Sequence, residues 1–442
     1  MKKLIIVFFM LCSCLSTNAQ DPWTLKRCVE YGLQNNRKNT IYANQKLAAD
    51  AKAKEALAGY LPRVSLNSTL DNNLKLQQSV IPAGIFGPDE RRISLTQKYN
   101  SGGVAQVDQV IFDQSMLTGL KANKYSQQQA DLNIEQGKEA IIYNISIAYF
   151  QIFVYKHQLE LLEYNKHNYE KQIEIYRLQV SKGTVLQKDL DKVGVDYNNT
   201  LSQIRVTNSN LQLAENELKF EMGFPIADPL PVNVLEKTEG LPKFNDIDNT
   251  FSVALRLDYK LSEIDIKLLE IEQARIKAEA LPKLTGYARY GAVGFGNTLK
   301  GAYDELLPYS AIGLKFSLPI LDFFKRNAQT RQANLSRRNA EENLKLSEGR
   351  FEVEYQNART KLLQANVNVE NDHRNVALSE SVLKITDLQL QKGTTNLTDW
   401  LNTQNSLKEA QSSYLNSLYT YYQARIDLEK AKGTLTTFYN SL

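Results

Sequence analysis

Cysteine is nearly missing from this chain, with three in 442 residues. Cys12 and Cys14 sit within the first stretch, and past it only Cys28 remains. A single thiol makes no intrachain disulfide. Histidine is as scarce: His157, His167 and His373 lie in helical stretches, without a Cys or His partner at metal-ligand spacing. No nucleophile elbow, phosphate-cradling glycine loop or pair of catalytic carboxylates occurs. The chain therefore reads as a non-enzyme with no metal and no cofactor. Charge of one sign is also lacking. Fifty-three Lys and Arg stand against 49 Asp and Glu, and two of the surplus, Lys2 and Lys3, belong to the leader. Nothing in that balance points to nucleic acid. Mean hydropathy of −0.40 excludes a polytopic helical membrane protein. No run after the leader is long and apolar enough for a membrane helix, so insertion would have to use strands.

The leader, 1–20, is a signal peptide. Lys2 and Lys3 precede the apolar Leu4–Leu11 run, and Thr17-Asn18-Ala19 offers small residues for cleavage. That run is too short to span a bilayer. Cys14, after Leu11-Cys12-Ser13, offers lipidation as the alternative.

What the chain does have is a duplication. Leu178-Gln179-Val180-Ser181-Lys182-Gly183-Thr184 returns about 210 positions later as Leu388-Gln389-Leu390-Gln391-Lys392-Gly393-Thr394. Leu61-Pro62-Arg63 matches Leu281-Pro282-Lys283, Ile111-Phe112-Asp113 matches Ile320-Leu321-Asp322, and Met222-Gly223 matches Lys432-Gly433. Repeat 1 spans 21–224, a connector 225–250, and repeat 2 spans 251–442.

Each repeat has the same order. A helix from Thr24 to about Tyr60 ends at Leu61-Pro62, because proline disfavours helical geometry before it. The period then becomes two. Val64, Leu66 and Leu70 alternate with Arg63, Ser65 and Thr69, a strand over 63–74 with one apolar face. A loop rich in Gly and Pro follows, with the charged tip Asp89-Glu90-Arg91-Arg92, and a second strand runs over 104–112. A helical hairpin occupies 113–223. Its first arm would be on the order of 100 Å long at 1.5 Å per residue. Ile141, Ile145, Ala148, Ile152, Tyr155, Leu159 and Leu162 form a coiled-coil seam that breaks at Lys166 and resumes at Tyr169. Gly183 turns the chain, and Leu190, Val193, Tyr197, Thr200 and Ile204 return on the same rhythm. Repeat 2 gives a helix from Phe251 to Ala280, strands at 284–293 and 311–320, a hairpin over 323–433 turned at Gly393, and a short tail.

The fold class is a mixed α and β membrane protein with internal duplication. Four strands cannot close a barrel, and open edges are not tolerated in lipid. The chain must pool strands with copies of itself.

Together these features resemble the TolC family of outer-membrane efflux and secretion ducts, over essentially the whole mature chain. The marks are the Thr24-Leu25 helix start with Asn36 downstream, Leu-Pro before the first strand of each repeat, and the helix turns Gly183/Asp189 and Gly393/Asp399. The resemblance implies a homotrimer, a twelve-stranded β-barrel contacting outer-membrane lipid, and a coiled-coil α-helical barrel crossing the periplasm. The implied function is a passive duct coupled through a periplasmic adaptor, a membrane fusion protein, to an inner-membrane RND, ABC or MFS pump. No nucleic acid is implied. A secreted, non-channel coiled-coil scaffold is the alternative.

The resemblance also places candidate residues. Gly183, Thr184, Gly393 and Thr394 fall on adaptor-docking helix turns, where glycine also simply permits the turn. Asp399 matches a position where acidic side chains ring a closed periplasmic entrance; a capping role is the other reading. Asn402, one turn on, stands where some members carry a second acid. Asp189 and Gln172 match partners in a latch. Thr395 and Leu390 stand where that latch has a basic and an aromatic residue, so it is absent or built differently. Tyr287, Tyr290, Tyr309 and Phe295 are candidates for an interfacial aromatic belt, with ordinary strand packing as the other reading.

Overall fold

The structure is a computed structural model and describes residues 23–85, 87–94, 96–232 and 251–441. The leader, Cys12, Cys14 and connector residues 233–250 lie outside the described residues. In chain order, helices α1 (Leu25–Asn35) and α2 (Arg37–Ala58) precede strands β1 (Arg63–Asn72), β2 (Gln78–Ile81), β3 (Arg91–Ser94) and β4 (Tyr99–Asp113). Helices α3 (Gln114–Leu120), α4 (Ala122–Ser181) and α5 (Gln187–Met222) follow. A 3-10 turn at Val253–Leu255 leads to α6 (Leu257–Ala278), β5 (Lys283–Gly296), the short α7 (Gly301–Asp304) and β6 (Leu306–Ser317). Helices α8 (Lys325–Gln391), α9 (Leu397–Lys432) and α10 (Leu435–Asn440) complete the order. Among the described residues, no helix is long and apolar enough to cross a membrane.

The described residues divide into two compact units, one within 1–44, 131–261 and 344–442 and the other within 45–130 and 262–343. In the first, Leu25, Cys28 and Val29 of α1 are buried with Ile141, Ile145 and Ile152 of α4 and Leu218 and Met222 of α5. The Thr24 hydroxyl caps α1 by accepting from the Arg27 N–H at 3.3 Å. The single helix expected from Thr24 to Tyr60 is instead two, meeting at buried Asn36. The Asn36 side-chain oxygen accepts from the Lys38 N–H at 2.8 Å, which caps α2, and its amide donates to the Glu221 carbonyl at 2.6 Å. The helix expected from Phe251 likewise starts only at Leu257, after a bend at Arg256. Arg256 is buried, pairs with Glu354 at 2.7 Å and Asp258 at 3.3 Å, and lies 3.9 Å over the Phe351 ring.

Each bend rests on the glycine that ends a hairpin. A Cβ at Gly223 would lie 2.7 Å from the Asn35 carbonyl oxygen, and one at Gly433 would lie 3.0 Å from Arg256 Cα. The duplication read in sequence is thus also a duplication of contacts.

The seam of α4 does not break at Lys166. Leu162, Asn165, Tyr169, Gln172 and Tyr176 are all buried and step by three and four. The seam continues through amides, which an apolar pattern does not register. Helix α9 does the same, burying Trp400, Gln404, Leu407, Gln411, Leu415, Leu418 and Tyr422.

In the second unit, β1, β4, β5 and β6 form one antiparallel sheet in that order, and β2 and β3 form a separate hairpin. That hairpin lies inside the segment expected to be loop. Strand β4 begins at Tyr99, earlier than expected, and β6 spans Leu306–Ser317 instead of 311–320. Pro308 sits within β6, tolerated because β6 is an edge strand of this sheet.

The register gives the sheet two distinct faces. Val64, Val107, Ala288 and Ile312 form one row, and Leu66, Ala105, Tyr290 and Ser310 the next on that face. The other face carries Arg63, Asp108, Tyr287 and Gly313, then Ser65, Gln106, Arg289 and Ala311. One face is apolar and the other polar. The apolar face lies open, with Leu66 79%, Ile312 88% and Leu314 69% exposed.

The aromatic belt does not form as expected. Tyr287 and Tyr309 share the polar face with Phe295, and Tyr290 lies on the opposite face. Tyr287 lies over Gly313 and Tyr309 over Gly291, with the Arg289 guanidinium 6.0 Å from each ring.

Past β6, Phe323 and Phe324 adopt φ of 44° and 71°. Bulky side chains rarely enter that region, and each such residue stores about 1–3 kcal/mol.

Candidate functional site at the helix turns

The two hairpin turns are built alike. In the first, the Gly183 N–H donates to the Val180 carbonyl at 2.9 Å and the Thr184 N–H to the Gln179 carbonyl at 3.0 Å. In the second, Gly393 donates to Leu390 at 3.0 Å and Thr394 to Gln389 at 2.9 Å. This is the Schellman pattern, in which a left-handed residue closes the helix end and satisfies its last carbonyls. Gly183 at φ 72° and Gly393 at φ 70° supply that residue. Both threonine hydroxyls repeat the backbone bond, donating to Gln179 at 3.0 Å and Gln389 at 3.1 Å. Gly183, Thr184, Gly393 and Thr394 are all exposed.

The returning helices start differently. Asn396 caps α9, its side-chain oxygen accepting from the Asp399 N–H at 3.0 Å. Asp399 is exposed, and its carboxylate accepts from the Thr395 hydroxyl at 3.0 Å. A carboxylate in the first turn also meets the positive end of the helix dipole. Thr395 therefore steadies Asp399 from its own strand of chain. In α5 the cap position, Leu186, has no side-chain oxygen to offer. Asp189 is half-buried and pairs with Lys192 at 3.7 Å. Burial, and then the Asp189 carboxylate, push the Tyr176 phenol above its ordinary range. Asn402 is exposed.

Gln172 is buried, in a groove it lines with Ile175, Leu383, Asp387, Trp400 and Gln404. Leu390 packs into the apolar cluster of Tyr169, Tyr176, Val193, Leu383, Leu397 and Trp400. The structure thus separates the four entrance candidates: Asp399 and Asn402 are exposed, Asp189 is half-buried, and Gln172 is in the seam.

Apolar pattern-reading missed a polar ladder behind the turns. The Gln404 amide donates to the Asn165 oxygen at 2.9 Å, and the Asn165 amide to the Gln411 oxygen at 3.3 Å. All three are buried. The Tyr169 hydroxyl donates to Asn405 at 3.4 Å, and its ring meets Trp400 edge-on at 5.9 Å. Trp400 Nε1 and Gln404 Oε1 are buried without a hydrogen-bond partner. The same region holds two half-buried opposite charges, Asp196 and Lys408. Burial raises the Asp196 carboxyl and lowers the Lys408 ammonium, each effect partly offset by the other group. The missed signal is spacing: Asn165, Gln172, Gln404 and Gln411 hold three-and-four steps without apolar side chains.

Comparison with known proteins fits this arrangement. The family described as "Outer membrane efflux protein" matches residues 268–434. "Outer membrane protein TolC" of Salmonella enteritidis is 24% identical over 401 residues, covering 88% of this chain and 77% of the relative. The solved CmeC outer membrane channel of Campylobacter jejuni superposes with a TM-score of 0.75 at 16% identity, covering 93% of this chain and 86% of that one. By sequence and fold the chain is similar to outer-membrane efflux proteins of the TolC family. The solved CusC fold agrees, with a TM-score of 0.76 at 15% identity over 94% of this chain and 95% of that one. At these identities the solved structures speak for the TolC-like fold, and the turns, caps and ladder above are this chain's own.

Proposed function

We propose that this chain is one of three copies of an outer-membrane exit duct, a passive conduit for efflux or type I secretion. The observation that carries this reading is the four-stranded sheet, apolar on one face, polar on the other, and unpaired at both edges among the described residues. The smallest single-chain barrels have eight strands. An open edge in lipid leaves a row of backbone groups unsatisfied, each costing several kcal/mol. Three copies supply twelve strands, lipid meets the apolar face, and the polar face lines the bore. The relative named above is an outer membrane protein and the solved CmeC an outer membrane channel, which favours a duct over a secreted scaffold.

Energy would come from an inner-membrane pump of the RND, ABC or MFS class, joined through a periplasmic adaptor. We assign adaptor docking to the exposed turns at Gly183-Thr184 and Gly393-Thr394. Asp399 and Asn402 are assigned to the wall of the narrow periplasmic entrance. Asp189 and Gln172 support that wall, one through Lys192 and the other through the seam. Three Asp399 carboxylates around one axis would attract cations and repel anions.

Planar-bilayer recording tests the reading. Purified protein should give stepwise conductance, and Asp399→Ala with Asn402→Ala should enlarge it. Silence from both proteins, each incorporated into the bilayer, would refute the duct.

A further inference from the structure

Beyond the helix turns, the segment after β6 carries a feature that the duct reading leaves unused. Leu318, Ile320, Leu321, Phe323 and Phe324 are all exposed, the last two at 80% and 81%. A contiguous apolar stretch of this kind marks a contact surface. Phe323 and Phe324 are also the two non-glycine residues with positive φ among the described residues. Their turn is held firmly on its polar side. The Lys325 N–H donates to the Asp322 carbonyl at 3.0 Å, the Ala328 N–H to the Phe324 carbonyl at 2.9 Å, and Arg326 pairs with Asp322 at 2.8 Å. These bonds hold a strained backbone that projects two rings outward. Strain of this sort persists where a contact makes use of it.

The topology names the occupant. Neighbouring strands in the order β1-β4-β5-β6 are all antiparallel, so β6 runs opposite to β1. An antiparallel ladder between β6 and the β1 of a second copy brings the end of β6 to the start of that β1. There Leu61 is 64% and Val64 is 72% exposed. The turn before β1 is fixed on its own sheet. The Tyr60 hydroxyl donates to the Ile111 carbonyl at 3.2 Å, and the Gln109 amide donates to the Tyr60 carbonyl at 2.8 Å. Its outer side is left for a neighbour.

We infer that Phe323 and Phe324 form an aromatic clasp that seats on the Leu61-Pro62 turn of the adjacent copy and secures the sheet closure at that rim. This rests on the trimeric duct reading and adds to it the residues that hold the copies together.

Disulfide trapping tests the clasp. Four double variants pair Phe323→Cys or Phe324→Cys with Leu61→Cys or Pro62→Cys. Within one copy β4 and β5 lie between these sites, about 14 Å at about 4.8 Å per strand. A disulfide needs Cα atoms about 4.4–6.8 Å apart, so any bond formed joins two copies. On oxidation, at least one pair should give reductant-sensitive dimers and trimers on heated gels. Intact trimers on unheated gels with no cross-link from any pair would overturn the clasp and leave the duct standing. Absence of trimers from the unmodified chain would overturn the duct, and the clasp with it. A second variant, Phe323→Gly with Phe324→Gly, relieves the backbone and removes the rings. Its trimers should dissociate at a lower temperature than the unmodified ones; an equal or higher temperature would show that the rings hold nothing.

Discussion

Four glycines share one conformation and differ in what surrounds them, so alanine at each gives a graded series. Gly183, Gly223, Gly393 and Gly433 all have φ of 70–72°. An L-residue in that region costs about 1–2 kcal/mol. At Gly183 and Gly393 a Cβ meets nothing within 4 Å, so that cost stands alone. At Gly223 the Cβ would lie 2.7 Å from the Asn35 oxygen and 3.0 Å from the Asn35 carbonyl carbon. Backbone cannot swing aside as a side-chain tip can, and overpacking adds about 1–3 kcal/mol. Gly433→Ala falls between, with Cβ contacts of 3.0 Å to Arg256 and Leu255 backbone. Gly223→Ala should therefore cost about 2–5 kcal/mol and the two turn variants about 1–2 kcal/mol each. Asn at Gly183 or Gly393 should recover part of the loss, since Asn visits this conformation more readily. Melting followed by far-UV circular dichroism, at one scan rate, orders the variants. Equal losses at all four positions, or larger ones at the turns, would refute the assignment of the bends at Asn36 and Arg256 to close backbone packing.

Three other outcomes follow from the geometry. Asp399→Ala should weaken block by multivalent cations in bilayer recordings, and unchanged block would remove Asp399 from the entrance. Gln404→Ala strands the buried Asn165 oxygen and should cost about 1–3 kcal/mol. Replacing the whole ladder (Asn165→Leu, Gln404→Met, Gln411→Met) should cost less than that single change, and a greater loss would contradict the ladder's energetics. Glu354 is pushed up by burial, but its bond to Arg256 and the nearby Arg350 hold it below the ordinary 4.5. Its stabilisation is complete above the unfolded value and is lost as pH falls through the lower folded value. The melting gap between Glu354→Gln and the unmodified chain should thus be widest near neutrality and close on the acid side. A gap independent of pH would count against the pairing.

The parts of this fold that were legible in the sequence are those where one periodicity governs. Alternation over Val64, Leu66 and Leu70 located β1, and Ile141, Ile145 and Ile152 located a buried stripe of α4. Gly183 and Gly393 marked the turns, because left-handed backbone has few other occupants. What escaped was tertiary. The bend at Asn36 depends on the Glu221 carbonyl, far away in sequence. The seam at Asn165 depends on the amides of Gln404 and Gln411 in α9. The β2–β3 hairpin hid among Pro82, Gly84, Gly87 and Pro88, which read as loop. Tyr287 and Tyr290 looked like one belt until register put them on opposite faces. At the helix turns, sequence named Asp399, yet only the folded chain connects it to Thr395 and Asn396.

The central claim is that four strands from each of three copies close one barrel. Native mass spectrometry of the particle extracted from outer membranes tests it most directly. The account predicts a complex of three mature chains. A monomer, or a complex of two or four, would contradict it.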